Sequence, residues 1–360
     1  MLMSLQLPSY MGTSGNASSA LAAPMGNYGD IENKGWEISL NTHPLVGAFE
    51  WDSDFQISFN RNKLRALDGT ANAQIVGYGQ WSDVVSVTNV GESLYNFYGY
   101  VCDGVYEDLE DLQTSAKPVK YPSNGVFNRT NTVWVGDIKY KDLNGDGVID
   151  ENDRTNIGSP LPKFTFGWTN TFRYKNFDLS LFINGSYGNK VYNYLGMKLT
   201  HMNSPWSNQL NTVLDRAQIV PIDPNKDYSA GVVVNGVTIY NWYDDITNVR
   251  VANAGTTIPR ASIQDPNDND RISDRYVEDG SYIRLKNITL GYTFPGKMIK
   301  KWGLDNLRIY ANIQNLLTIT GYDGYDPEIG ASTASANVYG LDNGRYPSPT
   351  VYSFGLNVSF

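Results

Sequence analysis

Val135–Tyr187 reads VGDIKYKDLNGDGVIDENDRTNIGSPLPKFTFGWTNTFRYKNFDLSLFINGSY, and its two halves obey different rules. The first half is an acidic loop with oxygen-bearing side chains at every second position from Asp142 to Asp146. The second half alternates. Phe164, Phe166, Trp168, Phe172 and Tyr174 are set against Thr165, Gly167, Thr169, Thr171 and Arg173. After a tight turn at Lys175–Asn176, Phe177, Leu179, Leu181 and Ile183 are set against Asp178, Ser180 and Asn184, with Phe182 intruding on the polar side. Alternation with a period of two marks a strand with one apolar and one polar face. The stretch therefore predicts a hairpin fed by a cation-type loop.

The same pattern recurs along the chain. Met3–Leu7 reads as a shortened strand, and residues 9–34 as a Gly, Ser, Ala and Asn-rich loop. Trp36, Ile38 and Leu40 alternate with polar residues, as do Trp51, Phe55, Ile57 and Phe59. Ile288, Leu290, Tyr292 and Phe294 follow, then Leu307, Ile309, Ala311 and Ile313, and finally Tyr352, Phe354, Leu356, Val358 and Phe360. This gives about eight strands. The connections alternate long and short: residues 64–163 and 188–280 are long, while the turns after residues 41, 174 and 294 are short. Short turns on one side, long loops on the other, a lumen face of Ser, Thr, Asn, Gln and Gly, and aromatics near strand ends together describe a transmembrane β-barrel. A soluble sandwich also alternates, but it does not keep this loop rhythm. The fold class expected is all-β, an antiparallel transmembrane barrel segment with long extracellular loops.

Composition fits that reading. The 360 residues include 25 Tyr, 13 Phe, 8 Trp and 34 Gly. A net charge of −9 offers no basic stripe to meet phosphates, so no nucleic acid partner is expected. The single cysteine, Cys102, excludes an intrachain disulfide framework. MLMSLQLPSYMGTSG has neither the basic nor the apolar region of a signal peptide.

Asp142, Asn144, Asp146, Gly147, Val148, Asp150 and Asp153 match the calcium-loop template. Calcium takes several oxygens at flexible distances, so side chains at positions one, three and five converge, and Gly147 permits the turn. The Val148 carbonyl supplies position seven, Asp150 position nine, and Asp153 stands at position twelve where Glu is usual. Strands flank the loop, so a bound calcium is expected to pin an outer loop rather than to signal.

Elsewhere the sequence suggests little chemistry. His43 and His201 read as surface histidines on a short turn and in a long loop. Asp268, Asn269 and Asp270, in QDPNDND, read as an exposed polar loop, and Glu107, Asp108, Glu110 and Asp111 as a solvated helix face. Tyr95, Phe97, Tyr98, Tyr100 and Tyr106 crowd one segment, and packing is the expected role of most. Tyr98, Tyr100 and Trp206 are the candidates for a ligand wall, since aromatic faces stack on sugars and peptides. No catalytic residue is expected and the chain does not read as an enzyme.

Several segments resemble the SusC/RagA group of TonB-dependent outer-membrane transporters. They are GDIENKGWEISLNT (Gly29–Thr42), NFYGYVCDGVYED (Asn96–Asp108), Val135–Asn170 of the opening stretch, DRYVEDGSYIRLKNITLGYTFP (Asp274–Pro295), LRIYANIQNLLTITGYDGYDPE (Leu307–Glu328) and the closing YSFGLNVSF. The resemblance implies a barrel of about 22 strands filled by a plug. It also implies a SusD-like surface lipoprotein as lid, energy from the TonB complex, a glycan or peptide ligand, and residence among the lipids of the Gram-negative outer membrane. No stretch reads as signal peptide, TonB box or plug domain, so residues 1–360 are expected to be the C-terminal portion of such a transporter. A self-contained small barrel with a structural or adhesive role is the alternative, and a soluble calcium-stabilised module a third.

Overall fold

The computed structural model describes residues 2–4, 25–27, 29–67, 73–79, 83–204, 206–328 and 337–360. Seven strands form one antiparallel sheet in sequence order: β1 (Gly29–Leu45), β2 (Phe49–Leu67), β3 (Phe164–Tyr174), β4 (Phe177–Tyr187), β5 (Tyr282–Thr293), β6 (Asn306–Thr320) and β7 (Val351–Ser359). Each pairs with its sequence neighbours, so β1 and β7 are the sheet's edges and do not pair with each other. The shortened first strand appears as Leu2–Ser4, but its partner is Met25–Asn27 rather than a strand of this sheet. Residues 5–24, including Leu5–Leu7, lie outside the described residues. The loop expected over residues 9–34 is shorter than that, because β1 begins at Gly29.

Register turns the alternation into rows. Leu45, Trp51, Phe172, Leu179, Leu290, Ala311 and Phe354 face one another in turn across all seven strands. One row nearer the short turns stand Phe49, Tyr174, Phe177 and Tyr292, with the Phe177 and Tyr292 ring centroids 4.7 Å apart. On the opposite face the matching row is Asp52, Thr171, Ser180, Thr289, Asn312 and Ser353. The apolar face is uncovered: Trp36 is 79% exposed and Phe354 85%. A soluble monomer rarely leaves so broad an apolar surface in water, whereas a lipid-facing barrel wall requires one.

Local chemistry explains residues that break the pattern. Ser53 and Asn170 lie on the apolar face yet are buried, because two indoles cover them. Trp168 Nε1–H donates to Ser53 Oγ at 2.9 Å and Trp51 Nε1–H to Asn170 Oδ1 at 2.9 Å. Phe182, the apolar intruder on the polar face, lays its ring against Gly167. A bulge between Leu285 and Asn287, opposite Gln314–Leu317, shifts the alternation and brings Ile283, Leu285, Leu317 and Ile319 onto the apolar face. The polar face is laced with ion pairs. Arg173 meets Asp52 at 2.6 Å and Arg308 meets Asp178 at 2.5 Å. Buried Arg284 pairs with Asp326 and reaches Glu328 at 2.8 Å, folding residues 321–328 onto the sheet.

The long connections are folded structure rather than irregular loops. All three leave the same end of the sheet, and most of the fully buried apolar residues lie in them. One core gathers Tyr100, Trp134, Ile138, Tyr140 and Ile149 with Ala217, Ile246 and Val249, joining the first two connections. A second joins all three through Phe97, Tyr192, Tyr194, Ile272, Tyr276, Val338 and Leu341. β2 is long enough to reach this body: at ~3.3 Å per residue it runs ~60 Å, and its end buries Leu64 and Leu67 against Ile75 and Leu94.

Candidate functional site

Chemistry-bearing side chains concentrate where the connections pack together. Helix α1 (Leu109–Thr114) starts where Asp108 accepts from the Asp111 N–H at 2.9 Å, an N-cap that satisfies an otherwise orphan donor. The acidic face read as solvated is so for Glu107 and Glu110. Asp111 instead pairs with Lys139 at 2.9 Å and accepts from the Glu107 N–H at 3.0 Å. These bonds tie the helix to Ile138–Tyr140, a short strand leading into the acidic loop.

In the acidic loop the carboxylates turn onto the loop's own backbone. Asp142 accepts from Gly145 and Gly147 N–H at 2.6 and 2.8 Å, Asn144 from Asp146 N–H at 2.9 Å, and Asp146 from Val148 N–H at 2.9 Å. The Gly147 N–H chiefly, against the opposing effect of desolvation and with help from the Gly145 N–H, holds the Asp142 carboxyl below its ordinary range. Asp150 caps the short 3-10 turn Glu151–Asp153. Asp153 is wholly buried and accepts from Leu143 N–H at 2.9 Å and Asp150 N–H at 2.8 Å, closing the loop on itself. The donor set is all oxygen, as calcium requires, and Gly145 and Gly147 adopt the left-handed conformation that the tight turn needs.

The gathering of three His, Cys, Asp or Glu groups found among the described residues is elsewhere, at His201, Asp265 and Asp270. His201 ends helix α2 (Tyr194–Thr200) and is not a surface histidine. Its Nε2 lies 3.1 Å from Asp265 and its Nδ1 2.9 Å from Asp270, with the side chain 14% exposed. Two carboxylates on two ring nitrogens make both nitrogens donors, the signature of an imidazolium rather than of a metal ligand. Burial lowers the ring's pKa, but the two carboxylates outweigh it and raise it to about 9. His43 is exposed as expected, though it sits within β1 and lies 2.6 Å from Asp52.

The segment QDPNDND is likewise not an exposed polar loop. Asn267 and Asn269 are buried, and they donate to the Ile138 carbonyl at 2.9 Å and to Asp137 at 3.2 Å respectively. Beneath them lies a buried bidentate pair: Arg260 Nε to Asp137 Oδ1 at 2.7 Å and Nη2 to Oδ2 at 3.2 Å. Sequence reading missed this pair because its members are 123 residues apart.

Of the ligand-wall residues, Trp206 is 92% exposed and is not among the residues lining the cavity that Tyr100 borders. Tyr98 and Tyr100 share a neighbour, Arg154, whose guanidinium lies 4.9 Å and 5.9 Å from their ring centroids. Arg271 lies 5.3 Å from the Tyr100 centroid as well. Tyr100 borders a cavity of about 950 Å³, also lined by Lys120, Glu151, Arg154, Asp268 and Arg271. Phe97 and Tyr106, by contrast, are core.

Comparison with known proteins places this arrangement. No family model matches the chain. It is 33% identical to TonB-dependent receptor P3 of Formosa agariphila over 98% of its own length and 30% of that protein. It is 26% identical to the TonB-dependent receptor SusC of Bacteroides thetaiotaomicron over 100% of its length and 29% of SusC. Among solved structures, the RagAB peptide transporter superposes with a TM-score of 0.67 at 17% identity, covering all of this chain and 32% of that one. The chain thus spans about a third of the length of the relatives it matches, and the long-loop, long-hairpin sheet is that of their barrels. Along its whole length the chain is homologous to part of the TonB-dependent receptors, SusC among them, and it shares its fold with RagAB.

Proposed function

We propose that the chain is the C-terminal barrel portion of a TonB-dependent outer-membrane importer of glycans or peptides, working beneath a SusD-like lipoprotein. The observation that carries this reading is the sheet: an uncovered apolar face runs across all seven strands, and the core lies in the connections at one end. Lipid suits the uncovered face. Edge groups of β1 and β7 left unpaired in a membrane would each cost several kcal/mol, so further strands of the transporter pair with them. The folded body at the loop end would form part of the ligand chamber and of the rim on which the lipoprotein docks. Calcium, held by Asp142, Asn144, Asp146, Asp150, Asp153 and the Val148 carbonyl, would brace that body. The likeness to SusC and RagAB supports the lipoprotein and TonB partners of this proposal.

The test is to express residues 1–360 alone in an outer membrane, beside the full-length receptor, and to measure uptake of labelled oligosaccharides and peptides. Uptake only by the full-length receptor, dependent on TonB, is the expected result. Import by residues 1–360 alone would favour a self-contained small barrel instead.

A further inference from the structure

The cavity bordered by Tyr100 holds two guanidinium groups, Arg154 and Arg271, that make no ion pair at contact distance among the described residues, although Asp268 lies close enough to feel the charge of Arg271. Arg154 donates through one nitrogen, to the Val84 carbonyl at 2.6 Å and the Tyr98 carbonyl at 3.0 Å, while its Nε is buried with no acceptor. Arg271 forms no side-chain hydrogen bond there. It stacks between aromatic rings, 5.3 Å from the centroids of both Tyr100 and Tyr140. A guanidinium in a partly dry site has several donors to satisfy, and a planar carboxylate satisfies two at once. Aromatic stacking positions both groups without using their in-plane donors. Both guanidinium groups lie over the Tyr100 ring, at 5.9 and 5.3 Å from its centroid, and so compete with a neutral sugar for stacking there.

The remaining lining narrows the ligand. Asp83 accepts from the Tyr194 hydroxyl at 2.9 Å, Asp150 from the Asn152 N–H at 2.8 Å, and Asp265 is held by His201 and Asn269. Those carboxylates have donors. Glu151 and Asp268 have none assigned, and burial together with Asp270 raises the Asp268 pKa, only partly opposed by Arg271. Thr130 and Asn131 add neutral polar groups, and Lys120 a third cation. Two guanidinium groups without an ion pair, one with its Nε unbonded and one with its whole fork unbonded, beside two acceptor carboxylates ask for a ligand carrying carboxylate and hydroxyl groups side by side.

We infer that this cavity binds an acidic sugar unit of a nutrient oligosaccharide, its carboxylate on Arg154 and Arg271 and its hydroxyls on Glu151 and Asp268. This rests on the importer reading above and narrows its substrate class. The experiment uses the full-length receptor, purified in detergent and titrated at low salt with trigalacturonate, maltotriose and an acidic tripeptide. Trigalacturonate should bind, weakening with added salt, and Arg271→Gln should weaken it about tenfold or more. Arg271 is the better target because its side chain has no hydrogen bond to lose, whereas Arg154→Gln also frees two carbonyls. Should either variant fail to fold, the salt dependence of the parent decides.

Equal binding of maltotriose, binding of the tripeptide alone, or unchanged affinity in a folded Arg271→Gln receptor would each overturn the assignment. Arginine-dependent trigalacturonate binding without TonB-driven uptake would overturn the importer reading and support this site. Uptake of neutral oligosaccharide with no trigalacturonate binding would do the reverse.

Discussion

Replacing Arg260 by Ala strands a charge. Asp137 is wholly buried and Arg260 6% exposed, and they meet through two hydrogen bonds of 2.7 and 3.2 Å. Without the guanidinium, Asp137 keeps only the Trp134 N–H at 2.8 Å and the Asn269 amide at 3.2 Å. Removing one partner of a buried pair costs about 3–5 kcal/mol, mostly the desolvation of the charge left behind. At about 1.4 kcal/mol per tenfold, that is roughly a hundredfold or more in the opening of the loop body. The amides that report it are Gly136, bonded to the Tyr106 carbonyl at 2.8 Å, and Tyr106, bonded to the Asp137 carbonyl at 2.9 Å. Hydrogen exchange on the full-length receptor should show both exchanging faster by that factor. Amides of β3 and β4, outside this core, should be unchanged. Arg260→Met with Asp137→Asn removes both charges and should recover at least half of the loss. Exchange accelerated by less than tenfold in Arg260→Ala would refute the buried-charge argument.

Other outcomes follow from the same structure. Asp142→Ala with Asp146→Ala should make the outer loop more sensitive to protease in the presence of calcium without abolishing the barrel; equal cleavage of variant and parent would count against the calcium brace. His201 titrates near 9 in the folded chain against about 6.5 unfolded. The imidazolium clamp, with Asp265, Asp270 and Lys198 around it, is therefore fully stabilising below pH 6.5 and lost as pH rises through about 9. Proteolysis of the 262–272 segment should rise over that window and, in His201→Gln, be fast and flat throughout; a flat profile in the parent would exclude the clamp. Gly355→Val should displace the Tyr310 ring that lies against Gly355 and lower the yield of folded receptor, with Tyr310→Ala restoring it. A normal yield for Gly355→Val alone would contradict that packing.

The strand faces were legible because a two-residue period needs no partner to be seen: Trp168, Phe172, Leu179 and Leu290 announce their side by themselves. Strand lengths were less legible. β1 and β2 extend past their alternating centres, because Leu64 and Leu67 pack on Ile75 and Leu94 rather than on lipid, and nothing local signals that. The long connections read as irregular since their cores join residues such as Ile149 and Val249, whose neighbours in sequence carry no period. The candidate site was legible only in part. Tyr98 and Tyr100 stood out as aromatics, but the groups that give the cavity its character, Arg154 and Arg271, look like any surface arginine until the fold brings them over those rings. His201 was misread for the same reason: its carboxylates lie 64 and 69 residues away.

If the sheet is part of a barrel wall, its uncovered face meets lipid. Spin labels placed one at a time from Tyr352 to Val358 on β7 of the full-length receptor, in outer membrane and with Cys102 replaced by Ala, test this directly. Oxygen accessibility should peak at 352, 354, 356 and 358, and that of a polar nickel complex at 353, 355 and 357. A nickel signal that is high and even along the strand would place this face in water and contradict the barrel.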